Sequence, residues 1–166
     1  MNYLYLEKIE SELTGAVGGI MKSLTGTVPE ITDEESDFAP GQRFAMECYS
    51  PLSMVFFLEI SLPLKKELLR KILKTSWDEV LHIDRDDLFL ELLNMIIQRF
   101  LTLHIPPEGR EGRVRFSSPQ VIFDEYEDDL EVNTLDFYRL DYRLFGHPFS
   151  LVFSPLEADP GVITAD

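Results

Sequence analysis

The chain has 166 residues, 45% of them apolar, with twelve Phe and six Tyr. That composition suits one globular domain with a real core, and two domains would each be too small to stabilise easily. Fifteen basic against thirty acidic residues leave a net charge of −15, which repels nucleic-acid phosphates and anionic membranes and favours a partner carrying basic groups. A single cysteine, Cys48, cannot close an internal disulfide and lies in an apolar stretch. It reads as a buried structural thiol in a reducing compartment. No apolar run reaches membrane-spanning length, and the acidic N-terminus lacks a basic leader, so a cytoplasmic protein is expected.

Leu6, Ile9, Leu13, Val17, Ile20 and Leu24 recur at three- and four-residue steps and predict an amphipathic first helix. Gly15, Gly18 and Gly19 allow either close packing or a kink within it, and Gly26 is a C-terminal stop. Gly15, Gly19, Lys22 and Ser23 share residues with a phosphate-binding loop but lack its preceding strand and the Gly directly before the Lys, which excludes that chemistry. The acidic, proline-containing stretch Pro29 to Gln42 reads as an exposed loop. Arg43 to Ser50 and Met54 to Leu62 read as strands around a Ser50-Pro51 turn, and Pro63 opens a second helix carrying Leu64, Leu68, Leu69, Ile72 and Leu73. A linker from Ser76 to Ile83 leads to a third helix, Asp84 to about Leu103, ended by Pro106-Pro107. The rest is β-rich. Arg113 to Ser117 and Gln120 to Asp124 flank Pro119, and Thr134 to Phe145 pairs with Pro148 to Ser154 around Gly146-His147. Residues 1–156 are expected to form the domain and 157–166 a flexible tail.

The third helix holds the most informative pattern. On a helical wheel of ~100° per residue, Asp87, Glu91, Asn94 and Gln98 fall within about 60° of each other. Every other residue between Asp87 and Gln98 is apolar, so the helix presents one narrow polar slot, with Leu88, Leu92, Met95 and Ile96 expected to be buried. Such a slot is also what the solvent edge of a core helix looks like. Asn94 argues for more than that, because asparagine favours caps and turns over mid-helix positions.

Asp87-x-x-x-Glu91-x-x-Asn94 followed by Met95-Ile96 resembles the signature helix of the CheC/CheX/FliY chemotaxis phosphatases. Pro119, reached after twenty-four intervening residues and followed by Gln120-Val121-Ile122, matches the proline of that signature. One Glu-x-x-Asn element is similar to the CheX branch; CheC and FliY usually carry two. The sequence departs from the family in Ile97-Gln98-Arg99-Phe100, where small residues and Gly are usual, and in Ser50-Pro51-Leu52-Ser53, where glycine-rich strands are common.

The resemblance implies an α+β fold, a largely antiparallel sheet packed against helices, and a homodimer. It also implies hydrolysis of a phospho-aspartate on a CheY-like response regulator. Glu91 would pair with the regulator's active-site Lys and Asn94 would orient the attacking water. Asp87 and Pro119 would be supporting positions. Asp87 is equally explained as a first-turn charge that favours the helix dipole. No cofactor of its own is expected, the regulator supplying Mg²⁺. A module of the same fold that docks on a regulator without catalysis, and a purely structural homodimer, are the alternatives. His82, His104 and His147 share no metal-ligand spacing and are expected on the surface or in turns. Trp77, Phe56, Phe57, Phe137 and Tyr138 read as core or strand-face aromatics.

Overall fold

Apolar side chains at helical spacing make Tyr3–Thr25 one unbroken helix, α1, in the computed structural model, with Ile9, Leu13, Ala16, Val17 and Met21 buried. The model describes residues 3–33, 38–39, 41–50, 52–106, 114–123 and 137–156. The glycines of α1 do not interrupt it. Gly26 stops it: its φ of 79° is a left-handed conformation that glycine adopts without steric cost, and its N–H reaches the Lys22 carbonyl at 2.8 Å.

Strand β1 is Glu30–Ile31, β2 is Gln42–Ser50 and β3 is Met54–Ile60. Helix α2, Leu62–Leu73, follows Ser61, with Pro63 in its first turn where a missing N–H costs nothing. A short 3-10 turn, Trp77–Glu79, precedes α3, His82–His104. Strands β4 (Arg115–Phe116), β5 (Gln120–Phe123), β6 (Tyr138–Leu144) and β7 (His147–Pro155) follow. Among the described residues seven strands form one antiparallel sheet in the order β1-β6-β7-β3-β2-β4, with β5 also paired to β2. This is the α+β architecture the sequence predicts.

Alternation along the strands gives the sheet two different faces. Phe44, Met46 and Cys48 of β2, Met54, Phe56, Leu58 and Ile60 of β3, and Phe149, Leu151 and Phe153 of β7 face the helices and form one core with them. Cys48 is buried there, as expected, and burial pushes its thiol up. Tyr142 shares this core. Its hydroxyl lies 3.0 Å from Thr14 Oγ1 on α1, and burial pushes its phenol up to about 12. The opposite face carries a smaller apolar group, Ala45, Val55 and Phe57, beside an ionic network. Arg43 and Arg139 donate to the buried Glu59 carboxylate at 2.6 and 2.8 Å, and Arg139 also donates to Asp141 at 3.0 Å. A carboxylate this buried is tolerated because its oxygens are held by guanidinium groups.

Several sequence expectations shift. A two-residue strand, Glu30–Ile31, lies inside the predicted loop, paired with Arg143 and Tyr142 of β6. The final hairpin turns at Phe145-Gly146, one residue earlier than predicted, with φ of 53° and 77°. Positive φ at both central residues is the type I′ turn, whose twist matches that of the strands, and Leu144 pairs with His147 to fix that register. Phe137 is 61% exposed, whereas Phe56, Phe57 and Tyr138 lie in the strands as expected. Trp77 is half-buried in the linker, its ring stacked 4.3 Å from the Arg85 guanidinium at the start of α3. The predicted tail, residues 157–166, lies outside the described residues.

Phe89 and Phe100 anchor α3 to the sheet, with ring centroids 5.4 Å from Phe44 and 5.8 Å from Phe56. Phe100→Ala empties a fully buried site and should lower the unfolding free energy by ~3–5 kcal/mol. Urea denaturation checks this, and an unchanged midpoint would show that the α3–sheet contact contributes little.

Candidate functional site

Helix α3 buries Phe89, Leu92, Leu93, Ile96, Ile97, Phe100 and Leu101 against the sheet and α1. That arc fixes which way its remaining residues point. Asp87, Glu91 and Gln98 are exposed and Asn94 is half-buried. The four residues predicted to share a slot therefore do line one outward strip. Within it, Asn94 Nδ2 donates to Glu91 Oε2 at 3.3 Å and Gln98 Nε2 donates to Asn94 Oδ1 at 3.0 Å. Asn94 bonds sideways along the helix surface and not into the core. Asp87 stands one turn before Glu91.

The slot has apolar shoulders. Leu92 and Ile96 are buried as expected, but Leu88 and Met95 are only half-buried. They lie ~80–100° around the helix from Asp87, at the margin of the sheet-facing arc. An open polar row beside half-exposed apolar side chains is the make-up of a protein-docking surface, not of a closed small-molecule pocket. Toward the C-terminus of α3 the row meets a groove lined by Gln98, Leu101, Thr102, Ile105, Val114 and Phe116.

Tertiary contacts hold both ends of this helix. At the N-terminal end Gln42 Nε2 donates to Asp86 Oδ1 at 2.6 Å, tying α3 to β2. At the C-terminal end His104 Nδ1 lies 2.5 Å from Glu12 Oε2 and Nε2 lies 3.3 Å from the Tyr5 hydroxyl, clamping α3 to α1. His104 is thus a half-buried interhelical residue, contrary to the surface or turn position expected for it. Its partners come from a distant segment, so no local pattern could reveal them. His82 is exposed at the start of α3 and His147 opens β7. Among the described residues no three His, Cys, Asp or Glu side chains gather as metal ligands. Pro119 is half-buried in the connection between β4 and β5, directly before β5. It offers no polar group to the row, and its rigid ring shapes the entry of β5 onto β2 beside α3.

The sequence matches no protein-family model and no curated protein. Solved structures do match the fold over nearly its whole length. A CheC-like superfamily protein from Shewanella sp. PV-4 superposes with a TM-score of 0.67 at 12% identity, covering 93% of this chain and 98% of that one. CheX from Vibrio vulnificus gives 0.66 at 9% identity, covering 89% and 98%. The CheX–CheY–BeF3–Mg²⁺ complex from Borrelia burgdorferi gives 0.61 at 12% identity, covering 87% and 95%. This chain has the CheC/CheX/FliY fold. CheX proteins are the most frequent of these neighbours. At such identities the likeness establishes the CheX-like fold alone. No described helix is long and apolar enough to cross a membrane.

Because Glu91 and Asn94 project from the helix away from the core, Glu91→Ala and Asn94→Ala should shift stability by roughly 0.5 kcal/mol or less. Thermal melts of both variants check this. Unfolding of either one would mean that the row holds the fold together instead of facing a partner.

Proposed function

We propose that this protein dephosphorylates the phospho-aspartate of a CheY-like response regulator in the cytoplasm. The observation that carries the reading is the hydrogen-bonded pair of exposed Glu91 and half-buried Asn94 on the outward strip of α3, within a fold shared with a CheX found in complex with CheY. An acyl phosphate is already reactive, and the regulator supplies its own Mg²⁺ and Lys. The phosphatase need only position water for in-line attack. The Asn94 amide suits that task because it both accepts and donates hydrogen bonds. Glu91 uses Oε2 to hold Asn94 and keeps Oε1 to receive the regulator's Lys, so docking and water placement meet in one carboxylate. Asp87 adds negative charge beside Glu91 for a basic partner surface, and Leu88 and Met95 add apolar contact.

Pairing of two copies through sheet edges belongs to the same reading, since strand edges with unpaired backbone groups attract further strands. Light scattering that returns the monomer mass would remove it.

A second reading is a docking module without catalysis. It is favoured by Ile97-Gln98-Arg99-Phe100, which stands where the family has small residues.

Single-turnover decay of acetyl-phosphate-charged CheY-type regulators, measured across phosphatase concentrations, separates the two. Asn94→Ala should lower the maximal rate by about 10²–10³ and leave the half-saturating concentration nearly unchanged, because one oriented transition-state group is lost. Glu91→Ala should weaken both rate and affinity. Wild-type turnover by Asn94→Ala would refute the mechanism, and binding with no turnover by the wild type would establish the docking module.

A further inference from the structure

Gln98 matches no position of the signature, yet it makes the shorter of the two hydrogen bonds to Asn94. We propose that Gln98 is a positioning residue that fixes the orientation of the Asn94 amide for water attack. The inference rests on the phosphatase reading above and adds a third member to its site.

The argument follows from donor and acceptor chemistry. The terminal torsion of asparagine is broad and two-fold, so on an open helix face its oxygen and nitrogen can exchange places. The Glu91 carboxylate, three residues earlier, has no proton to donate and therefore selects Nδ2. This turns Oδ1 toward the following helical turn. Gln98, four residues later, meets it there with Nε2 at 3.0 Å. The amide is thus gripped at both ends by side chains of opposite hydrogen-bonding character, at the two helical spacings where neighbours touch. One lone pair of Oδ1 and one N–H of Nδ2 remain for other partners. The lone pair accepts a proton of the attacking water and leaves the water's own lone pair facing phosphorus. Without the Gln98 donor, Oδ1 is held on one side only and the water it carries is less often in line. The altered residues after Asn94 then supply a local support in place of small residues.

A bond at this spacing also serves helix stability alone, so the test reads orientation and rate separately. In the free wild-type protein, NMR should show nuclear Overhauser contacts from the Asn94 Nδ2 protons to the Glu91 side chain. Gln98→Glu replaces the donor with an acceptor of the same shape and should draw those contacts toward residue 98. Gln98→Met removes the donor without adding charge. It should lower the maximal single-turnover rate on an acetyl-phosphate-charged CheY-type regulator about five- to tenfold, the value of one hydrogen bond, with the half-saturating concentration unchanged. Unaltered contacts in Gln98→Glu, or a full maximal rate in Gln98→Met while Asn94→Ala is inactive, would overturn the role of Gln98 and leave the phosphatase reading intact. If the wild type turns over no regulator, the phosphatase reading fails and takes this inference with it.

Discussion

The packing of α3 on the sheet decides what this protein can present to a partner. Two aromatic contacts, Phe89 on Phe44 and Phe100 on Phe56, hold the helix at points three turns apart. A helix gripped at two such points cannot rotate about its axis without opening cavities at both, which a close-packed core resists. Rotation being fixed, the row from Asp87 to Gln98 has one direction left to face. The Gln42–Asp86 bond and the Glu12–His104 contact act on the two ends of the same helix and add to this constraint. The candidate site is therefore built on a rigid element, with its side chains ordered by their neighbours along the helix.

Charge is distributed to match. On the sheet face away from the helices, Glu59 is satisfied by Arg43 and Arg139. Those groups are occupied with each other. On α3 the acidic side chains Asp87 and Glu91 are exposed, in a chain of net charge −15. An acidic strip with half-buried Leu88 and Met95 beside it suits a folded partner whose surface carries basic groups. Electrostatic attraction of that kind acts mainly on encounter and orientation.

Local patterns in the chain carried a good part of this arrangement. The 3.6-residue period placed all three helices, the proline at the head of α2 and the glycine after α1 marked their ends, and alternation found the long strands. The polar slot was legible for the same reason: four residues at helical spacing share a direction whatever the helix packs against. The turn at Phe145-Gly146 escaped because a phenylalanine at positive φ contradicts its own preference, and the strand register overruled it. Strand β1 escaped because two residues give no period, and only pairing with β6 makes them a strand.

Sequence by itself determined that an α+β fold forms and that Asp87, Glu91, Asn94 and Gln98 share a face of one helix. Periodicity reports the direction of a side chain and its candidate neighbours on the same helix, and says nothing of partners from distant segments. Tertiary structure decided the rest: that Leu88 and Met95 stay half-exposed beside the row, that His104 leaves the surface to meet Glu12, and that Gln98 and Glu91 hold Asn94 from both sides. The first two depend on contacts between segments far apart in the chain. The third depends on the sheet holding α3 in one rotation, so that the three polar side chains reach each other across an open surface instead of bonding into the core.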